Sequence, residues 1–149
     1  METDDLITIG WREWVALPDL GLSRIKAKID TGARTSALHA FRVNTHHVEG
    51  QLWVAFAIHP KQYRRDIEID CEVPVFDQRV VTDSGGHREE RYVIRTTLAL
   101  GSLSWRIEMT LTDRDDMRFR MLLGRSAMRN KILVNPTRSY LTGRHRKKR

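Results

Sequence analysis

Apolar and polar residues alternate with a period of two through long parts of this chain, a rhythm that restricts it to a fold built from half-buried strands. Ile67, Ile69, Cys71, Val73 and Val75 alternate with Glu68, Asp70 and Glu72. Trp105, Ile107, Met109 and Leu111 alternate with Arg106, Glu108 and Thr110, while Ile25, Ala27 and Ile29 interleave with Lys26 and Lys28. Turn-forming clusters punctuate these runs at Pro18 to Gly21, Gly32, Asn44 to Gly50, Asp83-Ser84-Gly85-Gly86 and Gly101-Ser102. Their spacing predicts a mostly β domain with a closed or sandwiched antiparallel sheet. Only Arg125 to Lys131, after Gly124 and before the apolar run Ile132 to Val134, reads as a short helix. There is no internal repeat, low-complexity linker or coiled-coil heptad.

With 149 residues, 40% of them hydrophobic, the chain is long enough to bury a core without staples. We expect a single domain over residues 1–143 and a basic tail over 144–149. Cys71 has no second cysteine to pair with, which suits a reducing compartment and predicts a cytoplasmic protein. The acids Glu2, Asp4, Asp5 and Glu13 near the start do not fit a signal peptide. No apolar run approaches the roughly 18 residues that cross a bilayer, so no membrane role is expected. Of the net charge of +7, five charges come from Arg144, Arg146, Lys147, Lys148 and Arg149, leaving +2 for the rest. Such a tail reads equally as a solvated end or as a handle for an acidic partner. Aromatic residues make up only 7% of the chain, which argues against direct nucleic-acid binding.

The stretch Lys28-Ile29-Asp30-Thr31-Gly32-Ala33-Arg34-Thr35-Ser36-Ala37-Leu38 is a strand that ends in an acid at a tight turn. Taken alone it reads first as an ordinary Asp-Thr-Gly turn, with Asp30 accepting local backbone N–H groups. About ninety residues later, Phe119-Arg120-Met121-Leu122-Leu123-Gly124-Arg125-Ser126-Ala127-Met128 reads as an apolar strand closed by Gly-Arg before a helical pattern. The two elements, in this order, resemble the retropepsin family of aspartic peptidases. That resemblance implies a barrel in which the second strand crosses beneath the aspartate turn, and a homodimer in which each copy contributes one Asp30. Two facing carboxyl groups would share a proton around one water. Thr31 would brace the loop across the twofold axis, and Gly32 would admit substrate and partner backbone. The hairpin from Val80 to Val93 would be the flap, with Asp83, Ser84, Gly85 and Gly86 at its tip.

More of the chain, from Ile9 to Leu141, is similar to a narrower group, the RimB type. The likeness rests on Lys28 to His39, Arg79 to Gly86, Glu90 to Thr96 and Thr110 to Arg114. That group carries the label ATP-dependent zinc protease and is associated with RimK-type glutamate ligases. The residues give no reason to expect zinc or ATP: His46-His47 sits in an expected turn, there is no His-Glu-x-x-His, and no phosphate-binding Gly-rich loop is present. We therefore expect no cofactor and no metal.

One departure from retropepsins stands out. Where retroviral members place an acid after Asp-Thr-Gly-Ala, this chain has Arg34, which cannot pair with Arg125. Together with Lys28 and Arg79 these arginines suit a polyanionic substrate; Arg88 and Arg91, flanking Glu89 and Glu90, read as surface charges. His39 reads as an orienter of the active loop or as a satisfied core histidine. A strand over Ser139 to Leu141 is expected near the dimer contact. The function implied is hydrolysis of acidic, poly-glutamate tails that a RimK-type ligase adds to a ribosomal protein. The alternative is a non-catalytic basic adaptor that binds such a ligase or the ribosome.

Overall fold

A computed structural model describes residues 6–82, 85–113 and 118–143. Twelve strands and one short helix follow each other in the order β1 (Ile7–Ile9), β2 (Arg12–Leu17), β3 (Leu22–Asp30), β4 (Ser36–His39), β5 (Phe41–Val48), β6 (Gln51–Ile58), β7 (Ile69–Pro74), β8 (Asp77–Thr82), β9 (Arg88–Leu100), β10 (Leu103–Thr112), β11 (Met121–Gly124), α1 (Arg125–Met128) and β12 (Ile132–Val134). The main sheet pairs in the order β10-β4-β11-β3-β2-β9-β8, and β10 also pairs with β9, so six strands trace a ring. The ring is thinnest between β2 and β9, which share the single register pair Ala16 with Ala99. A second sheet holds β5, β6 and β7, and β1 pairs with β12.

The alternating residues do what their period requires. Ile25, Ala27 and Ile29 are buried from one face of β3, and Ile107, Met109 and Leu111 from β10. They meet Leu38, Leu98, Met121 and Leu123 in one apolar cluster, which extends to Val54, Phe56 and Ile58 of the second sheet. Removal of this apolar surface from water is the main drive for the assembly.

Strand direction departs from the antiparallel expectation. β10 with β4, β11 with β3, and β1 with β12 are parallel pairs. Alternation reports which face is buried and carries no information about direction, and parallel neighbours here come from distant parts of the chain. Asn44 to Gly50 is also not one turn: β5 runs to Val48, and only Glu49 (φ 50°) and Gly50 (φ 83°) reverse the chain, the doubly positive geometry of a tight hairpin. His46 consequently lies in a strand, where its Nε2 meets Glu72 at 2.6 Å. The helix is shorter than the expected Arg125 to Lys131, because Arg129 turns extended and Asn130 takes φ 65°, a conformation asparagine tolerates.

Ser139 to Leu141 is not a strand. It is held instead by Glu13, whose fully buried carboxylate accepts the N–H groups of Gly10 (2.6 Å), Leu141 (2.8 Å) and Thr142 (3.2 Å) and the Thr142 hydroxyl (2.9 Å). The tail from 144 to 149, and Asp83 and Ser84 of the hairpin tip, lie outside the described residues. No described helix is long and apolar enough to cross a membrane.

Candidate active site

The site is built where β11 inserts between β3 and β4, the two strands that the Asp-Thr-Gly turn connects. Gly124 stands opposite Asp30 in the parallel pairing with β3, and Met121 and Leu122 pair antiparallel with Leu38 and Ala37 of β4. Only glycine fits at 124, since a β-carbon there would lie 2.6 Å from the carbonyl carbon of Thr35 and 2.8 Å from its oxygen. The Gly124 N–H donates to the buried Ser36 hydroxyl at 3.0 Å.

The next two residues close the turn. The Arg125 N–H donates to the Ala33 carbonyl at 2.8 Å and the Ser126 N–H to the Arg34 carbonyl at 3.0 Å. The Arg125 guanidinium reaches the carbonyls of Gly32 (3.1 Å) and Thr31 (3.4 Å). Within the turn, the Gly32 N–H donates to Asp30 Oδ1 at 3.0 Å and the Ala33 N–H to the Asp30 carbonyl at 3.2 Å. Asp30 is only partly buried and Thr31 is exposed; among the described residues, Asp30 Oδ2 has no hydrogen-bond partner. The turn is thus rigid, with one carboxylate oxygen left for other chemistry.

A groove of about 1130 Å³ opens over this turn, lined by Lys28, Asp30, Arg34, Arg79, Val80 and Arg125 among others. The β8–β9 hairpin borders it. Its register runs from Asp77 with Val93 to Thr82 with Arg88, and Val80 is 53% exposed. Gly85 and Gly86 are exposed near the tip, and Gly86 takes φ 87°.

The four cations proposed from sequence all line the groove, yet their states differ. Arg79 is held by Glu108 and Asp77, each at 2.8 Å. These hydrogen bonds push the Arg79 pKa up, first through Glu108 and then through Asp77, and the Arg79 bond holds the Asp77 carboxyl below its usual range. Arg125 is committed to the turn carbonyls. Lys28 and Arg34 are exposed, and among the described residues no carboxylate pairs with either. Arg91 is no free surface charge: its side chain is 10% exposed and meets Glu89 at 3.0 Å.

Several supports were not legible in the sequence. Thr110, fully buried, donates its hydroxyl to the Ser36 carbonyl at 2.9 Å and accepts from Arg91 at 3.2 Å, linking the hairpin base to the aspartate turn. Arg120, 2% exposed, donates to the carbonyls of Arg64 (3.1 Å) and Lys61 (3.4 Å), and so fixes the loop after β6 against the groove. A conventional pattern search passes over both, because Thr110 sits in a strand rhythm and Arg120 looks like a surface charge. His39 is buried at the groove wall in a stack with Phe41 and His59, which are themselves 4.3 Å apart between ring centres. Among the described residues no three or more His, Cys, Asp or Glu side chains come together as metal ligands.

An aspartate turn at the end of one strand, braced from below by an inserted Gly-Arg strand and bordered by a β-hairpin, defines the retropepsin-like class. The chain belongs to the RimB-like family, described as retropepsin-like aspartic endopeptidase RimB, whose pattern matches residues 8–145. It is 48% identical over 141 residues to a probable alpha-L-glutamate ligase of Shewanella pealeana, covering 95% of this chain and 31% of the relative. It is 49% identical over 137 residues to one of Parasynechococcus marenigrum, covering 92% of this chain and 29% of the relative. The chain therefore spans under a third of the length of these relatives. The crystal structure of a Legionella pneumophila protein of unknown function superposes with a TM-score of 0.75 at 24% identity, covering 91% of this chain and 97% of that one, a likeness of fold.

Proposed function

We propose that the chain is one half of a homodimeric aspartic peptidase that hydrolyses acidic, glutamate-rich peptide tails. The observation that carries the reading is Asp30: it sits on a rigid turn, keeps an oxygen free, and faces a groove whose cations Lys28 and Arg34 have no carboxylate of their own among the described residues. One aspartate per chain calls for a second copy. Thr31, exposed beside it, braces the loop across the axis in this reading.

In the assembled pair, two carboxyl groups roughly 3 Å apart share one proton, because both cannot ionise cheaply at that distance. The ionised group takes a proton from the water as its oxygen bonds to the scissile carbonyl carbon. The protonated group gives its proton to the carbonyl oxygen. The carboxyl that took the water proton gives it to the leaving nitrogen as the C–N bond breaks, and the other carboxylate takes back a proton from a diol hydroxyl, which forms the product acid and leaves one proton on the pair. The β8–β9 hairpin excludes bulk water.

Charge and the relatives support the substrate class. Lys28 and Arg34 fit side-chain carboxylates, and the relatives that contain this domain are named as probable glutamate ligases. A peptidase joined to, or working beside, a ligase that adds glutamate would act on that ligase's product, for example a glutamylated ribosomal protein in the cytoplasm. The adaptor alternative places its binding in the basic tail 144–149, outside the described residues.

The test compares wild type with Asp30→Asn on a synthetic oligo-glutamate peptide, together with the solution mass of both. The expected result is a dimer whose hydrolysis falls by about 10²–10⁴-fold in the variant, the usual effect of removing an acid–base group. Undiminished hydrolysis by Asp30→Asn, or full activity from a monomer, overturns the reading.

A further inference from the structure

The outward face of the β2–β3 hairpin carries a cluster that the peptidase reading does not use. Strand parity sends Ile25, Ala27 and Ile29 inward and Arg24, Lys26 and Lys28 outward. On β2, Arg12 is paired with Lys28 and Trp14 with Lys26. Aromatic rings hold Arg12, Arg24 and Lys26 in place. The Arg24 guanidinium lies 3.9 Å from the Trp14 ring centre, and Lys26 Nζ lies 5.0 Å from Trp14 and 5.6 Å from Tyr140. Arg12 lies 4.7 Å from Trp11 and 5.0 Å from Tyr140, and Trp14 and Tyr140 stack at 5.9 Å.

Ring-held cations without a carboxylate among the described residues occur elsewhere, as Arg95 over Phe76 at 4.3 Å and Lys131 over Trp105 at 5.7 Å, but on the β2–β3 face four cations stand together. Arg42, Arg64, Arg79, Arg91 and Arg106 each meet a carboxylate of the chain. Arg12, Arg24, Lys26 and Lys28 meet none among the described residues. A cation stacked on a ring keeps part of its hydrogen-bonding edge toward solvent and loses little freedom on binding an anion. The row also has a direction, since Arg24, Lys26 and Lys28 lead along β3 to Asp30, and Lys28 already lines the groove.

We propose that this face is an extended binding strip for an acidic peptide, which feeds the chain toward Asp30. Alternate residues of a strand are about 6.6 Å apart, and alternate side chains of an extended peptide repeat at the same interval. Every second carboxylate of a poly-glutamate segment can therefore meet successive cations of the row. From Arg24 to Asp30 the strand covers about 20 Å, so the strip reads roughly six residues beyond the scissile bond. The proposal rests on the acidic-substrate reading above and extends it from the groove to an outer surface.

The experiment uses the 149-residue chain carrying Asp30→Asn, which binds without turnover, and fluorescein-labelled oligo-glutamate peptides of four and twelve residues, read by fluorescence anisotropy. The twelve-residue peptide is expected to bind more tightly than the four-residue one. Adding Arg24→Gln and Lys26→Gln is expected to weaken the longer peptide about two- to thirtyfold, the consequence of losing two exposed ion pairs, and to flatten the salt dependence. Arg42→Gln, on the opposite sheet, is the control and leaves binding unchanged. Circular dichroism of the double variant reports folding, and Trp14→Leu removes the ring support without changing charge and is expected to weaken the longer peptide as well. Equal affinity for the two lengths, or an unaltered affinity in the double variant, overturns the strip. So does binding of a labelled uridine dodecamer through Arg24 and Lys26 while oligo-glutamate is ignored. Strip-dependent binding without Asp30-dependent hydrolysis in the wild type sustains the strip and overturns only the peptidase reading.

Discussion

Gly124 faces Asp30 across the β3–β11 pair, and the space above its α-carbon is already filled by the backbone of Thr35. The aspartate turn and the Gly-Arg strand are therefore one packed unit, and neither holds its geometry without the other.

Gly124→Ala is expected to force the 33–36 segment away from β11. A new methyl 2.6 Å from a backbone carbon cannot be absorbed by a rotamer change, and overpacking of this kind costs about 1–3 kcal/mol. Urea unfolding should show the loss of stability, and hydrolysis of an oligo-glutamate peptide should fall even at temperatures where the variant is folded.

Arg79 ties the hairpin to the ring by bridging Asp77 of β8 and Glu108 of β10. Arg79→Met should cost only about 0.5–1 kcal/mol globally, because all three side chains are partly exposed. Amide exchange over residues 77–82 should accelerate more than exchange over β3. The Asp77 carboxyl is held below the usual aspartate range, first by its hydrogen bond to Arg79. A depressed acid contributes stability above its unfolded pKa, and that contribution disappears as pH falls through the folded value. The wild-type hairpin should therefore loosen below about pH 4, whereas the Arg79→Met hairpin should show less of this acid sensitivity.

Glu13→Gln replaces an acceptor-only carboxylate with a group that points an N–H₂ at donors. At least one of the bonds from Gly10, Leu141 or Thr142 is then lost in a fully buried position, at a cost of about 1–3 kcal/mol. Faster exchange of the Leu141 and Thr142 amides, together with a lower Tm, is the expected signature. Unchanged exchange there would show that the 139–142 segment is held by something else.

Burial pushes the Cys71 thiol up to about 11, with the nearby Asp70 charge adding to the effect. The folded thiol should react slowly with a disulfide reagent at pH 8 and rapidly once urea unfolds the chain. Because the folded pKa is raised, this group's contribution to stability is complete below the unfolded value, near 9, and is lost as pH rises through about 11. Cys71→Ala should remove that part of the alkaline decline, measured as the urea midpoint at pH 8 and pH 10.5.

Some of this molecule was determined by the sequence alone. The period-two runs at Ile25 to Ile29 and Trp105 to Leu111 specified strands and their buried faces, because alternate side chains of an extended chain point in opposite directions whatever lies beside them. Asp30-Thr31-Gly32 by itself reads as an ordinary turn, and it is paired with Gly124-Arg125 through the resemblance to retropepsins. Only the tertiary structure decided which strands run parallel, and that Ser139 to Leu141 is held by a buried Glu13 instead of by a sheet. It also decided which cations are available. Arg79 is paired with Glu108, twenty-nine positions away, and Arg125 is hydrogen-bonded to turn carbonyls, while Lys26 is held by Tyr140 from the far end of the chain. The charge of a side chain is local information, but its neutralisation is set by neighbours that only folding brings within hydrogen-bonding reach.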